Sequence, residues 1–83
     1  MQLVYFASLR EALGCAEENY TPPHDVTTVE ELIRHLRTRS DIHAAALHSS
    51  KMLRVAVNQT HAKPDHPVSD EDEVAIFPPV TGG

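Results

Sequence analysis

At 83 residues the chain has room for one domain and is too short for two cores. Its net charge is −5, and its seven Lys and Arg residues are scattered or gathered near one helix end, which makes a nucleic-acid backbone a poor partner. A single cysteine excludes an internal disulfide, no charged leader precedes an apolar run, and no run approaches the ~20 residues of a membrane span, so a soluble cytoplasmic protein is expected.

In chain order, Leu3–Ala7 is a short apolar run rich in strand formers and predicts a central strand. Ser8–Leu13 with Gly14 after it predicts one helical turn with a glycine C-cap, and Asn19–Thr21 before Pro22-Pro23 predicts a short second strand. Val29, Leu32, Ile33 and Leu36 fall at i, i+3, i+4 and i+7. They lay one apolar stripe along a helix whose Glu30, Glu31, Arg34 and Arg37 should face water. Thr27 and Thr28 each precede a glutamate by three residues, so either can close a capping box, and Arg34, Arg37 and Arg39 lie toward the negative end of the dipole.

Ser40 or Asp41 can cap a second short helix through Ile42 to Leu47, broken by Ser49-Ser50-Lys51. Leu53, Val55 and Val57 alternate with Arg54, Ala56 and Asn58, the period of a strand with one buried face. Pro64 and Pro67 confine Thr60–Val68 to irregular or edge structure, and Ser69–Asp72 is a polar turn before a last strand, Glu73–Phe77. In that strand Val74 and Ile76 share one face, so burying them turns Phe77 outward, where Phe6 of a neighbouring strand can join it in an apolar patch; its own loops could equally cover it. One dominant helix among strands predicts an α+β domain with the helix across one face of a mixed sheet, and a β-grasp fits the order. The expected division is a domain over 1–77 and a flexible tail over 78–83.

The tail carries the candidate chemistry. Pro78 and Pro79 cannot donate to a sheet ladder and should stop the strand, so Pro78, Pro79, Val80, Thr81 and Gly82 become a thin extended arm. Six residues at ~3.3–3.6 Å each reach on the order of 20 Å, enough to thread into a partner's site. Two of the three glycines are Gly82 and Gly83, which lack a Cβ and leave the terminal carboxylate of Gly83 unshielded.

Other constellations are weaker. Six histidines show no paired metal-ligand spacing, so no metal is expected. Cys15 reads as a packed small hydrophobe or an idle thiol, and Asp70–Glu73 as a solvated turn. A core this small leaves little room for an enclosed pocket of ~300 Å³, so no catalytic residue is assigned within the chain.

Asp72 through Gly83, together with Tyr5–Glu11, Val57-Asn58-Gln59 and Asp65-His66-Pro67, resembles the small sulfur-carrying subunits of molybdopterin synthase, the MoaD family. The resemblance implies a ubiquitin-like β-grasp. An ATP-dependent adenylating enzyme would activate the position of Gly83, and a sulfur donor would convert it to a thiocarboxylate. A large catalytic subunit would then use that sulfur to turn cyclic pyranopterin monophosphate into molybdopterin, in a heterotetramer with two small subunits flanking a dimer of large ones. On this reading the chain is a non-catalytic carrier that binds no cofactor, ATP being used by its partner, and Phe6 and Phe77 belong to the partner interface. Glu71 departs from the glycine usual in that family's turn. The alternatives are a sulfur carrier for thiamine, cysteine or tRNA thiolation, and a ubiquitin-like protein modifier or passive interaction module.

Overall fold

The computed structural model describes residues 1–48 and 53–79. Eight elements follow one another: β1 (Gln2–Tyr5), α1 (Ser8–Leu13), β2 (Glu17–Asn19), α2 (Val29–Leu36), α3 (Asp41–Ala46), β3 (Arg54–Val57), β4 (Thr60–Ala62) and β5 (Glu73–Phe77). The strands form one mixed sheet in the order β2-β1-β5-β3-β4, with β5 parallel to β1 and antiparallel to β3.

Alternation along the three central strands divides the sheet into two faces. Leu3, Tyr5, Val55, Val57, Val74 and Ile76 point to one side and are buried in a single cluster with Val29, Leu32 and Leu36 of α2, Leu9 of α1, and Ala46 and Leu47 around α3. All three helices therefore cover the same face, as an α+β fold requires. Ile33 of the apolar stripe is only partly buried at the margin of this cluster.

Both ends of α2 are specified locally. Thr28 is the N-cap, its Oγ1 accepting from the Glu31 amide at 3.2 Å, while Glu31 Oε1 accepts from the amide and the hydroxyl of Thr27 at 2.9 Å each. This is a capping box whose return bond lands one residue early. The next orphan donors are taken by the 64–67 loop: the Val29 amide donates to His66 O and the Glu30 amide to Pro64 O. Ser40 caps α3 by accepting from the His43 amide. Gly14 ends α1 at φ +76, where only glycine sits without strain.

Three expectations are corrected. The second strand covers Glu17–Asn19 rather than Asn19–Thr21: its antiparallel register against β1 pairs Gln2 with Asn19 and Val4 with Glu17. The first strand stops at Tyr5 because Ala7, at φ 52, turns the chain into α1. Arg37 does not simply face water; its side chain is half-buried and its Nε wholly so. Thr60–Ala62 forms the edge strand of a two-residue hairpin through Asn58 and Gln59, both at positive φ, the signature of a type I′ turn. The break expected at Ser49-Ser50-Lys51 lies outside the described residues.

Candidate functional site

The face opposite the helices has no element packed on it among the described residues. The register aligns Val4, Ala75 and Ala56 across β1, β5 and β3, and Phe77 with Arg54. Beyond β1 the ladder continues for one bond, the Phe6 amide donating to Ile76 O at 3.2 Å. This bond holds Phe6 beside Phe77, and the two rings stack with centroids 4.4 Å apart and planes 10° from parallel. Phe6 is 40% exposed and Phe77 half-buried, so the pair is a surface feature and not part of the core. Phe77 thus turns outward, with Phe6 beside it. Around the pair lies an open groove of about 400 Å³ walled by Ala7, Ala56 and Pro78, with Arg54 and His61 at its polar edge.

The arm begins at this groove. Strand pairing ends at Phe77, and Pro78 and Pro79 follow half-buried with no ladder bond to offer. Val80, Thr81, Gly82 and Gly83 lie outside the described residues. What the geometry provides is adjacency: an exposed aromatic pair and the root of the arm sit at the end of one central strand.

A second group of polar side chains joins β1 and β2 to the C-terminal end of α2. Glu18 Oε1 accepts from Arg39 Nη1 at 2.8 Å, and its Oε2 accepts from the Tyr5 hydroxyl at 3.1 Å and from Cys15 Sγ at 3.7 Å. Arg39 lies 4.2 Å over the Tyr20 ring, and the Tyr20 hydroxyl shares a 2.6 Å hydrogen bond with His35 Nε2. Burial raises the Glu18 carboxyl, but the hydrogen bond and charge of Arg39, helped by Tyr5 and Cys15, outweigh it and hold Glu18 below the usual glutamate range. Burial first, and the Glu18 charge second, push the Tyr5 hydroxyl and the Cys15 thiol up. A thiol kept protonated against a carboxylate is a poor nucleophile, and Cys15 packs partly buried against the core cluster. None of this network was visible in sequence, since Glu18 and Arg39, the ion pair at its centre, are 21 residues apart.

Among the described residues no group of three or more His, Cys, Asp or Glu side chains could hold a metal, and no helix is long and apolar enough to cross a membrane. The acidic turn is structural: Asp72 Oδ2 accepts from the Ser69 amide and its Oδ1 from Asn58 Nδ2, while Asn58 Oδ1 accepts from the Glu73 amide. Sequence reasoning missed Arg54 and His61 as the groove's edge. Their register opposite Phe77 and Ala56 puts them on its face, but that register depends on a hairpin no glycine announces.

A five-stranded mixed sheet grasping one main helix, with Pro78-Pro79 following its last strand, defines a ubiquitin-like β-grasp domain. Solved structures agree. The chain superposes on a putative molybdopterin converting factor subunit 1 from Pyrococcus furiosus with a TM-score of 0.75 at 28% identity, covering 95% of each chain. It superposes on small archaeal modifier protein 1 from Haloferax volcanii with a TM-score of 0.73 at 27% identity, over 96% of this chain and 97% of that one. Residues 3–83 match the ThiS family, and the chain belongs to it. It is similar to the molybdopterin synthase sulfur carrier subunit of Escherichia coli, 46% identical over all of this chain and 99% of that one, and to that of Haemophilus influenzae, 39% identical with the same coverage.

Proposed function

We propose that this chain is the sulfur carrier subunit of molybdopterin synthase, with Gly83 as the residue that carries the sulfur. The observation that carries the reading is the whole-length similarity to subunits of that name; the placement of the arm beside the exposed Phe6–Phe77 pair supports it.

An ionised carboxylate is a poor electrophile, so Gly83 needs a leaving group. A carboxylate oxygen attacks the α-phosphorus of ATP in an adenylating partner and pyrophosphate departs. Sulfide-level sulfur from a donor then attacks the carbonyl carbon, the C–O bond to AMP breaks with AMP leaving, and the terminal thiocarboxylate remains. The large subunit receives the arm and directs that sulfur to cyclic pyranopterin monophosphate, the two sulfurs of the dithiolene requiring two deliveries. Catalytic groups belong to the partners. This chain contributes a stiff base at Pro78-Pro79, a narrow tip at Gly82-Gly83, and an apolar surface around Phe6 and Phe77 that fixes where the arm starts.

The test is intact mass after incubation with ATP, a sulfur source and the purified activating enzyme. A sulfur-for-oxygen exchange at the C-terminus is expected in the native chain and none in a chain lacking Gly83, whose fold should be unchanged because a chain end contributes little to packing. Molybdopterin synthesis by the shortened chain with purified partners would overturn the assignment. The structural likeness to a small archaeal modifier protein favours a second reading, in which a lysine amine and not sulfur captures the activated carbonyl. Isopeptide adducts without thiocarboxylate would select it.

A further inference from the structure

Among the described residues, three other than glycine sit at positive φ: Ala7, Asn58 and Gln59. Asn58 and Gln59 are the central pair of the type I′ hairpin, where positive φ is the ordinary conformation and asparagine a favoured occupant. Ala7 is different. Its angles, φ 52 and ψ −126, fall outside the left-handed helical region and match the first corner of a type II′ turn, a position that belongs to glycine. The turn is closed by the Leu9 amide, which donates to Phe6 O at 3.1 Å.

The peptide planes on both sides of Ala7 are held. The Phe6 amide donates to Ile76 O at 3.2 Å, Phe6 O accepts from Leu9, and Ala7 O accepts from the Glu11 amide at 3.3 Å, so the surroundings impose angles that the Cβ opposes. Glycine meets such angles without opposition, and the chain uses it for φ 76 at Gly14. The smaller freedom of alanine in the unfolded chain offsets only part of the strain. Nor does the domain use the methyl group: Ala7 is exposed and lies outside the core cluster. It stands instead in the wall of the groove around Phe6 and Phe77, with Pro78 at the root of the arm in the same wall. Strain that a fold maintains gathers where a surface is used.

We propose that Ala7 is a contact residue of the docking surface, its methyl packing against an apolar side chain of the large subunit beside the Phe6–Phe77 pair. The inference rests on the reading of this chain as the carrier subunit. It adds that the corner between β1 and α1 belongs to the same surface as the aromatic pair, and that the fold gives up stability to place a methyl there.

Two substitutions separate the methyl from the backbone. Ala7→Gly removes it. Ala7→D-alanine moves it to the other side of the Cα and is unstrained at these angles, which are the mirror image of the ordinary extended region. The second variant is made at full length by native chemical ligation of a synthetic segment 1–14 to residues 15–83, which begin with Cys15. Both variants should melt higher than the native chain, by about 2–8 °C. Both should bind the purified large subunit roughly 3–10-fold more weakly in titration calorimetry, as expected for one lost methyl contact. A residue with a purely structural role does not move the two readouts in opposite directions. Native affinity in Ala7→Gly overturns the proposal, and so does native affinity in the D-alanine variant alone, which makes the stiffness of the corner and not the methyl the source of affinity. Lower melting of both variants removes the strain and overturns it as well. Phe77→Ala in the same titration keeps the two levels apart: if it binds weakly while Ala7→Gly binds normally, only this inference fails, whereas a native chain that does not bind the large subunit fails the functional reading and this inference together.

Discussion

The two faces of the central sheet are made by the same strands and differ in what their alternate residues meet. One face sends Leu3, Tyr5, Val74 and Ile76 into the core, where each is at most 1% exposed. The other sets Val4, Ala75 and Ala56 in a row and ends in Phe6 and Phe77, with no element over them among the described residues. Small side chains in the middle of the open face let neighbouring strands shade them, so Ala75 is buried at 8% without belonging to the core cluster. Apolar character alone therefore does not separate a face that folds the protein from one that the fold leaves uncovered. The separation comes from the helices, whose apolar stripes are all committed to one side.

The comparison breaks most visibly at the covered face. Leu32, fully buried at the centre of α2, should cost ~2–5 kcal/mol as Leu32→Ala, through lost transfer energy and a residual cavity. Chemical denaturation reads this directly, and a loss below ~1 kcal/mol would place the stripe outside the core. On the open face, Phe77→Ala should weaken binding to the large subunit by about 2 kcal/mol, while folding stability falls by only the ~0.5–1.5 kcal/mol of a lost aromatic stack. Calorimetric titration beside a denaturation curve separates the two, and equal losses would erase the distinction between the faces.

The rim of the sheet supplies a smaller effect. The Asn58 amide lowers the Asp72 carboxyl, which desolvation opposes and the Ser69 backbone and side chain reinforce, leaving it below the ordinary value of ~3.9. A depressed carboxyl stabilises the fold above its unfolded pKa, and that contribution fades as pH falls through the folded one. Asp72→Asn should flatten the acid limb of the stability curve below about pH 4, by under ~1 kcal/mol because solvent screens an exposed site. An unchanged acid limb would show that Asp72 does not couple the turn to Asn58. The smallest effect is expected at Gln59, held at φ 69 in the hairpin. Gln59→Gly should raise stability by about 0.5 kcal/mol, as relief of ~1–2 kcal/mol of left-handed strain is mostly offset by glycine's freedom in the unfolded chain. A fall in the thermal midpoint would overturn that.

How much could be read in advance follows the range of the interactions. Helix α2 was legible because its period, N-cap and basic end agree within a dozen residues, and β5 because Pro78-Pro79 ends it. The second strand was misplaced because Glu17-Glu18-Asn19 has no strand preference of its own; pairing with β1 makes it a strand. Arg37 was assigned to solvent by helical period, whereas it sits at the C-cap, where the floor under the helix is set by β3 and β4. Within the candidate site the outward turn of Phe77 followed from alternation alone. Its stack on Phe6 needed the parallel register of β1 with β5, strands some seventy residues apart in the chain.

That register carries a consequence for the order of synthesis. β5 is the last strand made and the one that lies between β1 and β3, so until Glu73–Phe77 leave the ribosome the sheet exists as two unconnected halves, β1 with β2 and β3 with β4. Pairings that span the whole chain form late and raise the cost of closing the fold. A nascent chain arrested before Glu73 has no closed core, because the strand that joins its two half-sheets is the one still missing.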